Sequence, residues 1–560
     1  MNPEWLIAHF DCLSEAPDAI PRLRQFILDL AVRGKLVEQN PSDEPVSQLI
    51  ARIQTDDAGL TNQVAKKERQ SSIVRLDETP FVIPSSWRWV RLGERLELIN
   101  GRAFKPTDWI PEGLPIVRIQ NLNNDSAPFN YCDELTVEHR HIIQSGSFLI
   151  SWSGTPGTSF GAFIWQRGKA ALNQHIFSCF QRGEVYFDRF LQLGINGRLD
   201  EMIAKAHGGV GLQHITKSKL EHLPLPVPPL PEQRRIVAKV DELMALCDRL
   251  EAAQQERESR RDRLTAASLN RLNNGANAEE FREHAHFYLN HLPRLTTSPE
   301  QVKQLRQTTL NLAVRGRLVL QHPNDEPAGQ FLGDRRLFLD SEAEPWKLPR
   351  GWAWASFDLI GETLGGGTPS KADSEFWNGS IPWVSPKDMK VDVIRDAQDH
   401  ISTSAVEHSA TRLIPAGALL MVVRGMILAH SFPTAITALP VTINQDMKAI
   451  APFRPDLIRF LFLLTKGLKP EVLRLVLRST HGTCKLLTDD LFSLPIPIPP
   501  IAEQCRIVAK VDEVMALCDR LEAQLATAQA DNRRLLDAVL HEALNGRSAD
   551  DGQRSNRRAS

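Results

Sequence analysis

Two groups of polar residues carry the recognition chemistry this sequence could do. Arg102, Lys105, Arg118, Gln120, Asn121 and Asn123 fall in one short stretch, and Thr368, Ser370, Lys371, Lys387 and Arg424 lie beside Gly-rich or Pro-rich turns. Arg and Lys suit phosphates and guanine edges, whereas Asn and Gln suit adenine edges. Solvated loops have the same composition, so residue type alone does not decide between the two readings. Several bond-making motifs are absent from the sequence. There is no GxxxxGK[ST], and the GGGTPSK phrase beginning at Gly365 has the wrong spacing for a phosphate loop. Gly208-Gly209-Val210-Gly211 lacks the strand–turn–helix setting of a dinucleotide site. HExxH does not occur, nor does an Asn/Asp-Pro-Pro-aromatic phrase of the kind used on a flipped base. The 16 histidines show no metal-ligand spacing, and His207 and His481, each before a Gly, read as turn or DNA-facing residues.

Composition narrows the class. At 560 residues the chain is too long for one core, and several domains are expected. The formal net charge is −2, so any affinity for nucleic acid must come from local patches. The seven cysteines are dispersed and form no CxxC pair, which reads as reduced thiols in a cytoplasmic protein. No apolar run is long enough to span a bilayer, and the N-terminus does not read as a secretory signal.

The elements that must position the polar groups are written twice. Residues 223–252, LPLPVPPLPEQRRIVAKVDELMALCDRLEA, and 494–523, LPIPIPPIAEQCRIVAKVDEVMALCDRLEA, share 24 of 30 positions at an offset of 271. A second pair, LRQFILDLAVRGKLVEQNPSDEP from Leu23 and LRQTTLNLAVRGRLVLQHPNDEP from Leu305, is offset by 282. The Pro-rich phrase should be extended, because Pro lacks an N–H and disfavours helix before it. A helix should start near Pro231 and Glu232 and run to about Asn273, roughly 60 Å. That length exceeds one turn of B-DNA, about 34–36 Å. Ile236, Val240, Leu243, Cys247 and Leu250 recur at spacings of 4, 3, 4 and 3, as do Ile507, Val511, Val514, Cys518 and Leu521. This is a narrow a/d seam, and two matched seams are expected to pack on each other as an antiparallel coiled coil.

Between the repeats lie segments of ordinary domain size with short strand-like pieces, such as LPIVRIQNL and GALLMVV, and helical ends. They read as α+β domains. Residues 80–222 hold 15 Lys/Arg against 13 Asp/Glu, and residues 346–493 hold 16 against 14. This small excess is compatible with DNA binding and no stronger than that. The two segments share a Trp pair (Trp87 and Trp89, Trp352 and Trp354) and an Asn-Gln phrase, Asn173-Gln174 and Asn444-Gln445, and otherwise look unrelated.

The repeated LPLPVPPLPEQRRIVAKVDEL phrase, with GGTPS…IPWVSPKDM in the second segment, resembles the specificity subunit of type I restriction–modification enzymes over nearly the whole chain. The LAVRGKLV repeat resembles the longer members. The resemblance implies two target-recognition domains, each reading half of a split DNA sequence. They are separated by helices that act as ruler and partner dock in a pseudo-two-fold internal repeat. It implies a non-catalytic chain of a host-defence complex with double-stranded DNA, two methyltransferase subunits and restriction/translocase subunits as partners. S-adenosylmethionine, ATP and Mg²⁺ would sit on those partners, with no cofactor or metal on this chain and no membrane. The expected domains are a helical region at 1–79, recognition at 80–222, spacer helix at 223–274, and linker with second helical repeat at 275–345. Recognition at 346–493, spacer helix at 494–546 and a disordered tail at 547–560 complete the plan. A stand-alone two-headed DNA-binding regulator, a restriction enzyme with hidden catalysis, or a coiled-coil structural protein are the alternatives the residues leave open.

Overall fold

The structure is a computed structural model and describes residues 16, 18–58, 74–75, 78–154, 160–198, 213–274, 278–335, 344–478 and 483–545. The expected tail at 547–560, Cys12, His207 and His481 lie outside the described residues. The chain forms two compact units. The first takes residues up to Glu256 together with those from Gln529 on, and the second takes Arg257–Ala528. The divisions fall inside two 45-residue helices.

Four helices make the repeated frame: α1 (Ala19–Val32), α2 (Leu230–Asn274), α3 (Pro299–Val314) and α4 (Ile501–Asn545). Pro231 and Glu232 sit in the first turn of α2, where a missing N–H costs nothing and a carboxylate meets the positive end of the helix dipole. The Pro-rich phrase before it is a strand, Pro224–Val227, paired antiparallel with Arg88–Arg91. Pro224 and Pro226 oppose Arg91 and Trp89 in that register, and Leu92 donates to the Leu223 carbonyl at 2.9 Å. The prolines therefore take the pairs that exchange no hydrogen bond, leaving Leu225 and Val227 to carry the ladder. Ala353–Ala355 and Ile496–Ile498 repeat the arrangement in the second unit.

In the first unit α1 lies between α2 and the end of α4. Arg24 donates to Asp248 at 2.6 Å and to Glu251 at 2.7 Å, while Arg235 donates to Asp43 at 2.7 Å, so α1 and the residues after it run opposite to α2. Asp18 faces Arg533, Arg22 pairs with Asp537, and Lys35 donates to the Leu544 carbonyl, so α1 runs with α4. The head of α2 and the tail of α4 are thus antiparallel. The second unit repeats this with the roles exchanged. Arg306 donates to Asp519 at 2.6 Å and Glu522 at 3.0 Å, and Arg506 pairs with Asp325. Gln301 donates to Asp262 at 2.7 Å and Arg317 to the Asn273 carbonyl at 2.9 Å.

This corrects the expected seam partners. Ile236, Val240 and Cys247, with Leu243 and Leu250 at the edge, pack with Leu23, Phe26, Ile27 and Leu30 of α1 and with Leu536, Val539 and Leu540 of α4. Val514, Cys518 and Leu521 pack with Leu269 and Leu272 of α2 and with Val302 and Leu305 of α3, while Ile507 and Val511 enter the core beneath the second set of strands. The long helices do run antiparallel, but each seam mates with the other helix's tail, not with the other seam. A seam of period 3.5 requires an apolar partner and does not specify which one. Leu243 and Val514 therefore belong to separate clusters.

In each frame a buried carboxylate ties the start of the long helix to the segments around it. Glu232 accepts from Trp87 Nε1 at 3.0 Å and Gln39 Nε2 at 2.6 Å, and Glu503 accepts from Gln321 at 3.0 Å. Burial raises both carboxyl pKa values, against the opposing pull of these donors. A carboxyl raised on folding contributes stability below its unfolded pKa and loses it as pH climbs through the folded value. Glu232→Gln should therefore flatten the fall in stability as pH rises above the ordinary glutamate range, relative to wild type. Glu232→Ala, which strands the buried Trp87 N–H, should cost about 1–3 kcal/mol. Urea unfolding as pH rises checks both, and an unchanged pH slope in Glu232→Gln would rule out the burial effect.

The strands between the frames fold alike in the two units. In the first, an antiparallel sheet has the order Leu96–Asn100, Ile176–Gln181, Phe148–Ser151, Gly161–Ile164. In the second it is Gly361–Gly365, Met447–Pro452, Leu419–Val422, Thr434–Thr437, with Val393–Ile394 added in parallel at the edge. Each unit has another, mixed sheet with one parallel pair at its heart: Leu114–Val117 with Ala170–Leu172, and Ile381–Val384 with Thr442–Ile443. Segments that look unrelated as sequence are one topology.

Candidate nucleic-acid interface

In both domains three distant segments meet where the two sheets adjoin. The first is the loop leaving the edge strand, the second is the Asn-Gln turn, and the third is the end of the strand that reaches Trp152 or Val423. Four backbone hydrogen bonds fix the meeting in the first domain. Arg102 N–H reaches the Leu172 carbonyl at 2.8 Å, Asn173 the Val117 carbonyl at 3.1 Å, Trp152 the His175 carbonyl at 3.4 Å, and Ile215 the Trp152 carbonyl at 3.1 Å. The same four recur in the second: Gly367 to Ile443 at 2.9 Å, Asn444 to Val384 at 3.0 Å, Val423 to Asp446 at 2.9 Å, and Leu486 to Val423 at 2.9 Å. Gly101 and Gly366 make the crossing possible. A Cβ on Gly101 would lie 2.2 Å from the Asn173 carbonyl oxygen, and one on Gly366 would lie 1.9 Å from that of Asn444.

The side chains around this shared crossing differ. In the first domain Arg102 donates to the Thr136 carbonyl at 2.6 Å, faces Asp108 at 3.6 Å and lies over the Phe104 ring. His175 packs against Trp152, with Gln174 beside it. Arg118 follows Val117 directly and is half-buried. In the second domain the Thr368 hydroxyl is hydrogen-bonded to Gln445, and Arg424 faces Asp446 at 3.9 Å. The Arg424 backbone bridges to Lys485. Thr368, Arg424, Gln445 and Lys485 are all exposed.

Among the residues expected from sequence, Arg102 and Arg118 thus lie at the first crossing, and Thr368 and Arg424 at the second. Lys105 is exposed on a loop, and Gln120 and Asn123 are exposed on the short helix Ile119–Asn123, with Gln120 donating weakly to the Pro128 carbonyl at 3.4 Å. Ser370 and Lys371 are exposed, and the Ser370 carbonyl accepts from Trp377 Nε1 at 3.1 Å. Lys387 pairs with Asp399 at 2.8 Å, which raises its pKa through that hydrogen bond. Asn121 is a correction. It is fully buried, its side-chain oxygen accepts from Arg118 N–H at 3.0 Å, and its amide donates to the Ala127 carbonyl at 3.2 Å. Its polar groups hold a short turn together and face no ligand. Gln174, Gln445, Asp446 and Lys485 were missed as site residues. The Asn-Gln phrase is readable as a landmark, but its place at the crossing depends on main-chain pairing between segments distant in sequence.

Among the described residues no group of three or more His, Cys, Asp or Glu is placed to hold a metal ion, and no helix is long and apolar enough to cross a membrane. The fold and site define a protein with two recognition domains of one topology and different polar faces, each mounted on a copy of the same helical frame. The family model described as the type I restriction modification DNA specificity domain matches residues 84–258 and 349–528. Relatives include the Escherichia coli type I restriction enzyme EcoAI specificity subunit, 26% identical over 571 residues and covering 94% of each chain. The Escherichia coli EcoEI specificity subunit is also 26% identical, over 598 residues and 94% of each chain. The Escherichia coli EcoR124I/EcoR124II specificity subunit is 40% identical over 169 residues, 30% of this chain and 42% of that one. The chain belongs to the type I restriction–modification specificity family and is a DNA-recognition specificity subunit.

Proposed function

We propose that each domain reads one half of a bipartite, asymmetric double-stranded DNA target, and that the duplicated frame docks two methyltransferase subunits. One observation carries this reading: the frame repeats down to its ion pairs, whereas the polar groups at the shared crossing differ. Identical docks suit identical partners, and different readers suit different half-sites. Restriction/translocase subunits join the same complex in the cytoplasm. S-adenosylmethionine, ATP and Mg²⁺ belong to those partners, and this chain directs their chemistry without making or breaking bonds. DNA is held mainly through phosphate contacts, with base edges supplying the choice.

The test replaces residues 80–222 with the corresponding domain of another family member and maps methylated adenines in cells supplying the methyltransferase. One half of the target should change and the other stay. A change in both halves, or sequence-selective binding by the chain with no methyltransferase association, would favour the stand-alone regulator instead.

A further inference from the structure

The DNA-reading assignment above does not say which side chains discriminate bases. We propose that the crossing around Gln445, and its counterpart around Gln174, is the base-discriminating locus of each domain. This rests on the DNA-recognition reading and adds the residues that perform it.

Position is the first argument. The four matched backbone hydrogen bonds hold the shared Asn-Gln phrase in the same place, Gln174 with Gln445 and His175 with Asp446, and add a correspondence that the sequences alone do not give, Ser153 with Arg424. A glycine in tight contact with the Asn carbonyl fixes each crossing from the other side. Base readout needs side chains held on a rigid base, and main-chain pairing supplies it whatever side chains are attached. A backbone and a Gln that are kept while the side chains beside them vary, His175 against Asp446 and Ser153 against Arg424, are what two readers of different half-sites require.

Chemistry is the second argument. Gln445 is exposed and offers the amide that pairs with an adenine edge. Arg424 and Lys485 suit guanine or phosphate, and Asp446 suits the cytosine amino group. Gly425, at φ +137°, turns the chain into Met426 and Ile427, which are 62% and 39% exposed beside these polar groups. Apolar side chains in that setting suit a thymine methyl. Lys387 differs in kind. Its ammonium is held by Asp399 and it makes none of the four crossing hydrogen bonds, so it suits backbone attraction that is indifferent to sequence.

The experiment uses the full chain with its methyltransferase and reads the methylated-adenine pattern of wild type, Gln445→Ala, Arg424→Ala, Gln174→Ala and Lys387→Ala. Gln445→Ala and Arg424→Ala should each relax particular positions in one half of the target, by about tenfold to a hundredfold in discrimination, with the other half intact. Gln174→Ala should relax the other half. Lys387→Ala should weaken methylation at all sites alike, and less so at low salt. If Gln445→Ala does not assemble, Gln445→Glu decides: the proposal expects an altered preference, and an unaltered target overturns it. Unchanged target preference in Gln445→Ala and Arg424→Ala, or a uniform loss at every site, also overturns it. A wild-type complex that methylates without sequence selectivity would overturn the recognition reading itself, and this assignment with it.

Discussion

Leu536→Glu is expected to unfold the first unit while the second keeps its fold. Leu536 is fully buried, and it packs with Phe26, Ile27 and Cys247 although it lies near the far end of the chain. Truncating such a leucine to alanine costs about 2–5 kcal/mol, and a buried unpaired carboxylate adds a further penalty. A domain's whole margin is about 5–15 kcal/mol. Hydrogen exchange should show protection lost across α1, the head of α2 and the first sheets, with protection retained over residues 257–528. Removing the chain from residue 529 onward should do the same, because it also deletes the Asp537 partner of Arg22 and the Leu544 carbonyl bound by Lys35. Equal loss in both units, or none, would rule out the tail of α4 as part of the first unit's core.

Gly366→Ala should disable the second domain's reader and leave the first in place. The added Cβ would meet the Asn444 carbonyl oxygen at 1.9 Å and that of Ile443 at 2.4 Å, and both obstacles are backbone. Such overlap cannot be relieved by a side-chain rotation. The crossing has to open, at a cost of about 1–3 kcal/mol or more. The methylation pattern should lose selectivity in one half of the target, and the second unit should melt earlier. Gly194→Ala is the control, since a Cβ there meets nothing within 4 Å and alanine favours a helix. Wild-type melting and target choice in Gly366→Ala would mean that the crossing is not rigid.

The local rules of the chain were open to reading. Alternate prolines forced an extended phrase, Pro231 and Glu232 marked a helix start, and two near-identical blocks announced a duplicated frame. The repeated LAVRG phrase is also local in its cause. Gly34 and Gly316 close α1 and α3 at φ +68° and +66°, and Lys35 and Arg317 N–H groups each reach back to the Leu30 and Leu312 carbonyls at 2.9 Å. The clamp of Arg24 and Arg306 on paired carboxylates was present in both repeats as LRQ and CDRLEA, yet only packing showed that these phrases meet.

What the sequence by itself determined was therefore the frame: where helices begin, which face is apolar, and that the plan occurs twice. Helix periodicity, capping and proline restriction act within a few residues, so they can be read from a short stretch. Only the tertiary structure decided that each seam mates with the other helix's tail, that two unlike segments share one topology, and that Gln174 and Gln445 stand at equivalent crossings. An apolar stripe states a need that several partners could meet. Sheet order is fixed by main-chain hydrogen bonds between distant residues, and these leave no signature in the side chains that happen to face outward.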